Sequence, residues 1–233
     1  MMADIFSSFD PATCSVYSTF SPSVFWFLSF FSITLLQASF WPTPSRFTWL
    51  PSFPIEVMNS QASRTFGIHL KGFPSILVSL FLLLIILNLM GLLPYVFSST
   101  SHLLLSLSLG LPLWLSLIIS AIIYAPKSFT AHLLPSGAPD WLNPFLVLIE
   151  TVSICVRFIT LSFRIAANMS AGHVLLGLMG IAASSSIFSS LFTSSSIILI
   201  QLGYTIFEMG ICLIQAYIFC LLISLYSEDH PSS

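Results

Sequence analysis

Residues 150 to 173 read Glu-Thr-Val-Ser-Ile-Cys-Val-Arg-Phe-Ile-Thr-Leu-Ser-Phe-Arg-Ile-Ala-Ala-Asn-Met-Ser-Ala-Gly-His, an apolar run with fixed charge inside it. No proline follows Pro144 before residue 180, so a single helix over 142–180 is the simplest reading. Such a helix is about 58 Å long at about 1.5 Å per residue. That is nearly twice a hydrocarbon core of roughly 30 Å, so it must tilt steeply, curve or leave the bilayer. Glu150, Arg157 and Arg164 recur every seven residues and drift only about 20° per step, which puts them in one stripe. Asn168 falls on the same side, and His173 about half a turn away. Ionisable groups inside a membrane cost about 3 kcal/mol each on insertion scales, and they face protein or water and mark ion paths. Arg157 admits two readings, a functional one and simple pairing with Glu150 near one interface. Arg164 has no acid within a helical turn, and the functional reading is the stronger.

Composition sets the class. The chain of 233 residues is 56% hydrophobic and only 6% charged, far from the roughly one quarter charged that is usual in soluble domains. The fold class expected is an all-α polytopic membrane protein, one membrane domain over 1–233 with about five embedded helices. A net charge of -2 with six Lys plus Arg leaves no basic patch for nucleic acid. No G-x-x-x-x-G-K-[ST] loop exists to cradle a nucleotide, so a catalytic role in this chain is not expected. Cys14, Cys155, Cys212 and Cys220 lack metal-ligand spacing and read as small buried hydrophobes, with no metal or cofactor expected. The start carries Asp4 and Asp10 and no early basic residue, unlike a secretory or transit peptide. It suits a membrane protein made inside its own compartment.

Along the chain, 21–40 is apolar enough for a first span. Pro42, Pro44, Pro51 and Pro54 then argue against regular helix. In 55–70, Ile55, Met58, Ala62 and Phe66 repeat at helical spacing, which suits an amphipathic interfacial helix or, equally, an irregular loop. Spans are expected at 74–97, with Asn88 as an interhelical hydrogen-bonding group, and at 103–124, with Pro112 as a kink. A loop holding His132 leads to the long helix at 142–180. A Ser-rich link turns the chain into a last helix at 197–226. Arg46, Arg64, Lys71 and Lys127 all fall in loops on one side of a five-span arrangement, which places the N-terminus outside and the C-terminus inside.

The last helix carries its own polar stripe, Gln201, Glu208 and Gln215, beside Gly203 and Gly210, small residues that would let a neighbour approach. A turn near 187–190 with antiparallel pairing brings Glu208 near His173 and Gln215 near Arg164. Histidine exchanges protons near neutral pH and a carboxylate raised by burial can do so too, whereas arginine keeps its proton. A cleft at His173 and Glu208 open to the outside, and another at Glu150 open to the inside, would be two blind half-paths separated by Arg164. A carrier from a partner must then bridge them. A self-contained transporter would show inverted repeats, and none is found; a haem subunit would need facing axial histidines, and only His173 lies deep in an apolar run.

The motif Leu161-Ser-Phe-Arg164-Ile-Ala-Ala-Asn168-Met-Ser-Ala-Gly172-His173, with Ile149-Glu150-Thr151 before it and Phe207-Glu208 through Gln215-Ala-Tyr217 after it, resembles the subunit a family of mitochondrial ATP synthases. Asn88-Leu-Met-Gly91-Leu-Leu-Pro94-Tyr95 looks like that family's signature in the earlier span. Histidine at 173 with the acid at 208 is similar to the mitochondrial form. Many bacterial members carry an acid at the first place and a histidine at the second. The resemblance implies that Arg164 is the stator arginine facing the carboxylates of a rotating c-ring. It implies His173 and Glu208 in an inlet half-channel, Glu150 in an outlet half-channel, and Asn168 and Gln215 as supporting polar groups. It further implies a tilted hairpin, the mitochondrial inner membrane with the N-terminus in the intermembrane space and the C-terminus in the matrix, and other membrane-sector and peripheral-stalk subunits as partners. Phe158 departs from the proline common after position 157 in relatives, which bears on the local bend.

Overall fold

The computed structural model describes Phe9, Ser23, Val24, Trp26, Phe27, Ser29 and, from residue 46 to residue 228, every position but 66, 68, 69, 94, 95, 134 to 139, 188 and 189. The expected span at 21–40 lies outside the described residues apart from a few helical positions. Among the described residues the chain is helical without a β-strand. Among the described residues from 46 onward six α-helices succeed one another: α1 (Arg46–Ala62), α2 (Phe73–Gly91), α3 (Leu103–Tyr124), α4 (Pro126–His132), α5 (Asn143–Ser186) and α6 (Leu191–Glu228). Four of them, α2, α3, α5 and α6, are long and apolar enough to cross a membrane. The molecule is an all-α polytopic membrane protein.

Helix α1 corrects the expectation of a break at the prolines, because Pro51 and Pro54 lie inside it. Being three residues apart, they leave both missing N–H groups toward one side. Pro51, Pro54, Ile55, Met58, Gln61 and Ala62 form the covered stripe, with Met58 fully buried against the core. Packing on α2 outweighs local propensity here. Helix ends at Ala62, eight residues short of the expected 70, and the chain turns before α2.

Helix α2 stops at Gly91, short of the expected 97, and a 3-10 turn follows at Ser99–Ser101. Pro94 disfavours helix in the residue before it, and the amides of Leu92 and Leu93 close tight turns onto Leu89 and Met90. Helix α3 has the expected limits and continues through Pro112.

Helices α5 and α6 are longer than expected, 44 and 38 residues, about 66 and 57 Å. The reason is in the serines. Ser184, Ser185 and Ser186 donate to carbonyls three residues back at 2.8, 2.9 and 2.8 Å, so they extend α5 rather than break it. Ser190 then caps α6: its Oγ accepts the Thr193 amide at 3.3 Å and meets the Thr193 hydroxyl at 2.6 Å. Only residues 187 to 190 separate the two helices.

The core lies where α2, α5 and α6 meet. Leu77, Leu80, Phe81 and Leu84 of α2 pack with Leu161 and Ile165 of α5 and with Ala216, Phe219, Cys220 and Ile223 of α6. Helix α3 crosses α5 at Gly110, where an added Cβ would stand 3.2 Å from Ser162 Oγ and 3.5 Å from Phe219 Cζ. Gly203 and Gly210, expected to seat a neighbour, have nothing within 4 Å among the described residues. Close approach belongs instead to Gly67, Gly91, Gly110 and Gly172.

Candidate functional site: a buried acid and an outward arginine

The packing of α5 fixes the orientation of its polar residues. Leu161, Ser162, Ile165, Ala166 and Met169 are buried, whereas Phe163, Arg164, Ala167 and Asn168 are exposed. Arg164 and Asn168 therefore share one outward face. Exposed Val152, Val156, Ile159 and Phe163 on α5 and Ile206, Phe207, Leu213 and Ile214 on α6 make the surroundings apolar. A permanent cation on such a surface needs an anionic or wet partner, and none is present among the described residues.

Glu208 faces the other way. It is 4% exposed, and its carboxylate accepts a hydrogen bond from the Tyr204 hydroxyl one turn earlier on α6. Across the hairpin it lies on the backbone of Gly172, where a Cβ would stand 2.7 Å from Oε1 and 2.8 Å from both Cδ and Oε2. His173 is next along α5 and lies within electrostatic range of this carboxylate. The imidazole meets the Phe9 ring edge-on at 6.1 Å. The structure thus brings together His173 and Glu208, as the hairpin register requires.

One turn further along α6, Cys212 Sγ approaches Met169 Sδ at 3.6 Å and the Asn88 carbonyl at 4.0 Å, while Asn88 Nδ2 donates to the Cys212 carbonyl at 3.5 Å. Met169 opposite Cys212 and Gly172 opposite Glu208 set one antiparallel register. Carried down α5 it puts Arg164 level with Gln215 to Tyr217. Yet Gln215 is 4% exposed and points inward, and its amide atoms have no hydrogen-bond partner among the described residues. Height brings Gln215 and Arg164 together; facing separates them. His173 Nε2, Asn88 Oδ1 and Thr100 Oγ1 are likewise buried without a partner among the described residues. Buried polar atoms of this kind call for water.

Glu150 stands at the opposite end of α5, about 21 Å along the axis from Arg164, while His173 is about 14 Å away on the other side. It is paired: Arg157 Nη2 lies 3.5 Å from Glu150 Oε1, both side chains about two fifths exposed at 38% and 40%. The Arg157 guanidinium also stands over the Tyr226 ring at 5.9 Å, beside a cavity of about 60 Å³ lined by Trp114, Leu117, Phe129 and Ile154. Among the described residues no group of three or more His, Cys, Asp or Glu could hold a metal.

Sequence reasoning passed over Tyr204 and Gly172. Tyr204 was detectable from its position four residues before Glu208, on the same helix face. The role of Gly172 depends on the distance between two helices, which no local pattern states.

Comparison with known proteins follows the same residues. The family model described as ATP synthase A chain matches residues 16–228. The chain is similar to proteins named ATP synthase subunit a from Aedes albopictus, 37% identical over 230 residues, covering 98% of this chain and 99% of the relative. The relative from Locusta migratoria is 38% identical over 232 residues, with 98% and 99% covered. That from the snail Albinaria caerulea is 40% identical over 231 residues, with 99% and 100% covered.

Proposed function

The chain belongs to the ATP synthase A chain family, and from that premise we propose how its residues move protons as the proton-translocating stator subunit of a rotary ATP synthase. It belongs to the membrane sector together with the c-ring. Its place is a multi-pass membrane, read as the mitochondrial inner membrane, with the N-terminus toward the intermembrane space and the basic loops toward the matrix.

Protons enter from the outer side by an inlet half-channel and reach His173 and Glu208. Water held by the unpartnered atoms of Thr100, Asn88, His173 and Gln215 carries them to the level of Arg164. There they pass to a carboxylate of the c-ring. After nearly a full turn of the ring they leave by an outlet half-channel at Glu150. Arg164 cannot give up its own proton, so its charge favours a deprotonated ring carboxylate beside it and repels a proton that would cross directly. Asn168 shares the arginine's face and supports it there, and Gln215 organises the water behind it. Each elementary charge moved is worth about 2.3 kcal/mol per 100 mV, and rotation becomes the route that releases it.

One observation carries this reading. Arg164 looks out of the molecule onto an apolar face, while the acid and amide at neighbouring heights look in. A channel complete within one chain would aim all of them inward. The test is Arg164→Ala in the holoenzyme. ATP synthesis is expected to vanish and the membrane to leak protons; ATP-driven pumping at the parental rate would overturn the assignment.

A further inference from the structure

The Glu208 carboxylate is held from two sides by groups that no role above requires. On its own helix the Tyr204 hydroxyl donates to Oε1. Across the hairpin the floor beneath it is bare backbone, because Gly172 has no Cβ, and all three carboxyl atoms lie within 2.8 Å of where one would sit. A methyl group there would have to push the carboxyl aside, since such distances are below any tolerated contact. Gly172 is helical and needs no positive φ; Gly72, at φ 83°, is where the backbone asks for glycine. What Gly172 provides is space. Gly177 and Gly180 on the same helix, and Gly203 and Gly210 on α6, have nothing within 4 Å among the described residues.

Tyr204 is half-buried and lies nearer the 187–190 turn than Glu208 does, so the phenol stands between the acid and the outer end of the hairpin. A phenol can donate one hydrogen bond and accept others. It donates to Oε1 and keeps its lone pairs able to accept, which suits a group that aims the acid and can also bind water.

We propose that Tyr204 and Gly172 are positioning residues for the inlet acid: the phenol aims the Glu208 carboxylate and the missing Cβ lets it seat against α5 beside His173. This rests on the reading of Glu208 as the inlet acid. The ionisable groups facing that carboxylate are His173 from α5 and Tyr204 and Cys212 on α6 itself. Asn88 of α2, which reaches the same part of α6 through Cys212, does not titrate.

The experiment uses the assembled synthase in sealed membranes, with ATP synthesis followed against outer pH and the amount of assembled complex measured in parallel. Gly172→Ala is expected to slow synthesis at least about tenfold, as a misplacement of about 1 Å at a reacting group can cost about a hundredfold. Combining it with Glu208→Asp, whose shorter side chain clears the added methyl, brings the rate back to that of Glu208→Asp alone. Tyr204→Phe keeps the ring and removes only the hydroxyl. It is expected to slow synthesis about threefold to tenfold and to move the pH of half-maximal rate by about half a unit or more, at unchanged assembly. A double variant slowed relative to Glu208→Asp as much as Gly172→Ala is slowed relative to the parent, or a Tyr204→Phe enzyme with parental rate and pH profile, overturns the proposal. If Gly172→Ala fails to assemble, Tyr204→Phe decides alone. Glu208→Gln separates the two readings: slow Glu208→Gln with normal Tyr204→Phe and Gly172→Ala removes only the positioning role, whereas normal Glu208→Gln removes the inlet acid itself.

Discussion

Arg164 and Glu208 are both costly in a membrane, and the structure resolves the cost of each in a different way. Glu208 is lodged between a phenol and a backbone, close to a histidine. Arg164 has no such shelter among the described residues and stands on the exposed face, which suits a counter-charge supplied by another subunit. Arg164→Lys is therefore expected to lose coupled ATP synthesis nearly as fully as Arg164→Ala, because a desolvated lysine can give up its proton and lacks the planar fork. Coupling retained in the lysine enzyme, read as the ratio of ATP made to protons moved, would contradict this. Glu208→Gln keeps the shape and the bond to Tyr204 while removing the titratable oxygen. Proton uptake should fall about a hundredfold, with a normal amount of subunit in the purified complex. Disappearance of the subunit would mark Glu208 as a structural group.

Helices α5 and α6 owe their length to serines that return their hydroxyls to the backbone and to one serine that caps. Ser190 satisfies the Thr193 amide at the start of α6 and so keeps the turn short enough to hold the register that brings Gly172 to Glu208. Ser190→Ala should cost about 1 kcal/mol, and Ser190→Asp should restore it. The reading is the temperature at which this subunit is released from the complex, and equal temperatures for all three proteins would remove the capping role. A different contact fixes α3. Gly110 admits Ser162 and Phe219 so closely that Gly110→Val must drive α3 from α5, and the expected result is loss of assembled subunit.

Taken whole, the molecule shows a largely apolar surface over an apolar core with polar side chains set into it, the inverse of a soluble protein's polar surface. Its interior holds Asn88, Gln215, Glu208, Ser162 and Thr100, all nearly fully buried, while Ile, Leu, Val and Phe cover the outer face around Arg164. That inversion predicts where the partner sits. A cysteine placed at Asn168 on the exposed face, in a background without native cysteines, should crosslink to the small acid-bearing subunit of the rotor. A cysteine at buried Ala166 should not. Equal capture from both positions would mean that α5 presents a different face to the ring.

Local pattern carries a helix a long way. Hydropathy was enough for the helix at 103–124, for the excess length of the last two helices and for the height at which His173 meets Glu208, because antiparallel helices joined by a short turn have one register. Prolines 51 and 54 misled, since a helix resting on a neighbour keeps its course at a cost that an isolated peptide would not bear. The side to which each polar residue turns was not legible. A stripe on a helix has a direction only once another helix covers one flank. It took the packing of Leu161, Ile165 and Met169 against α2 and α6 to send Arg164 outward, Gln215 inward and Glu208 onto the bare backbone of Gly172.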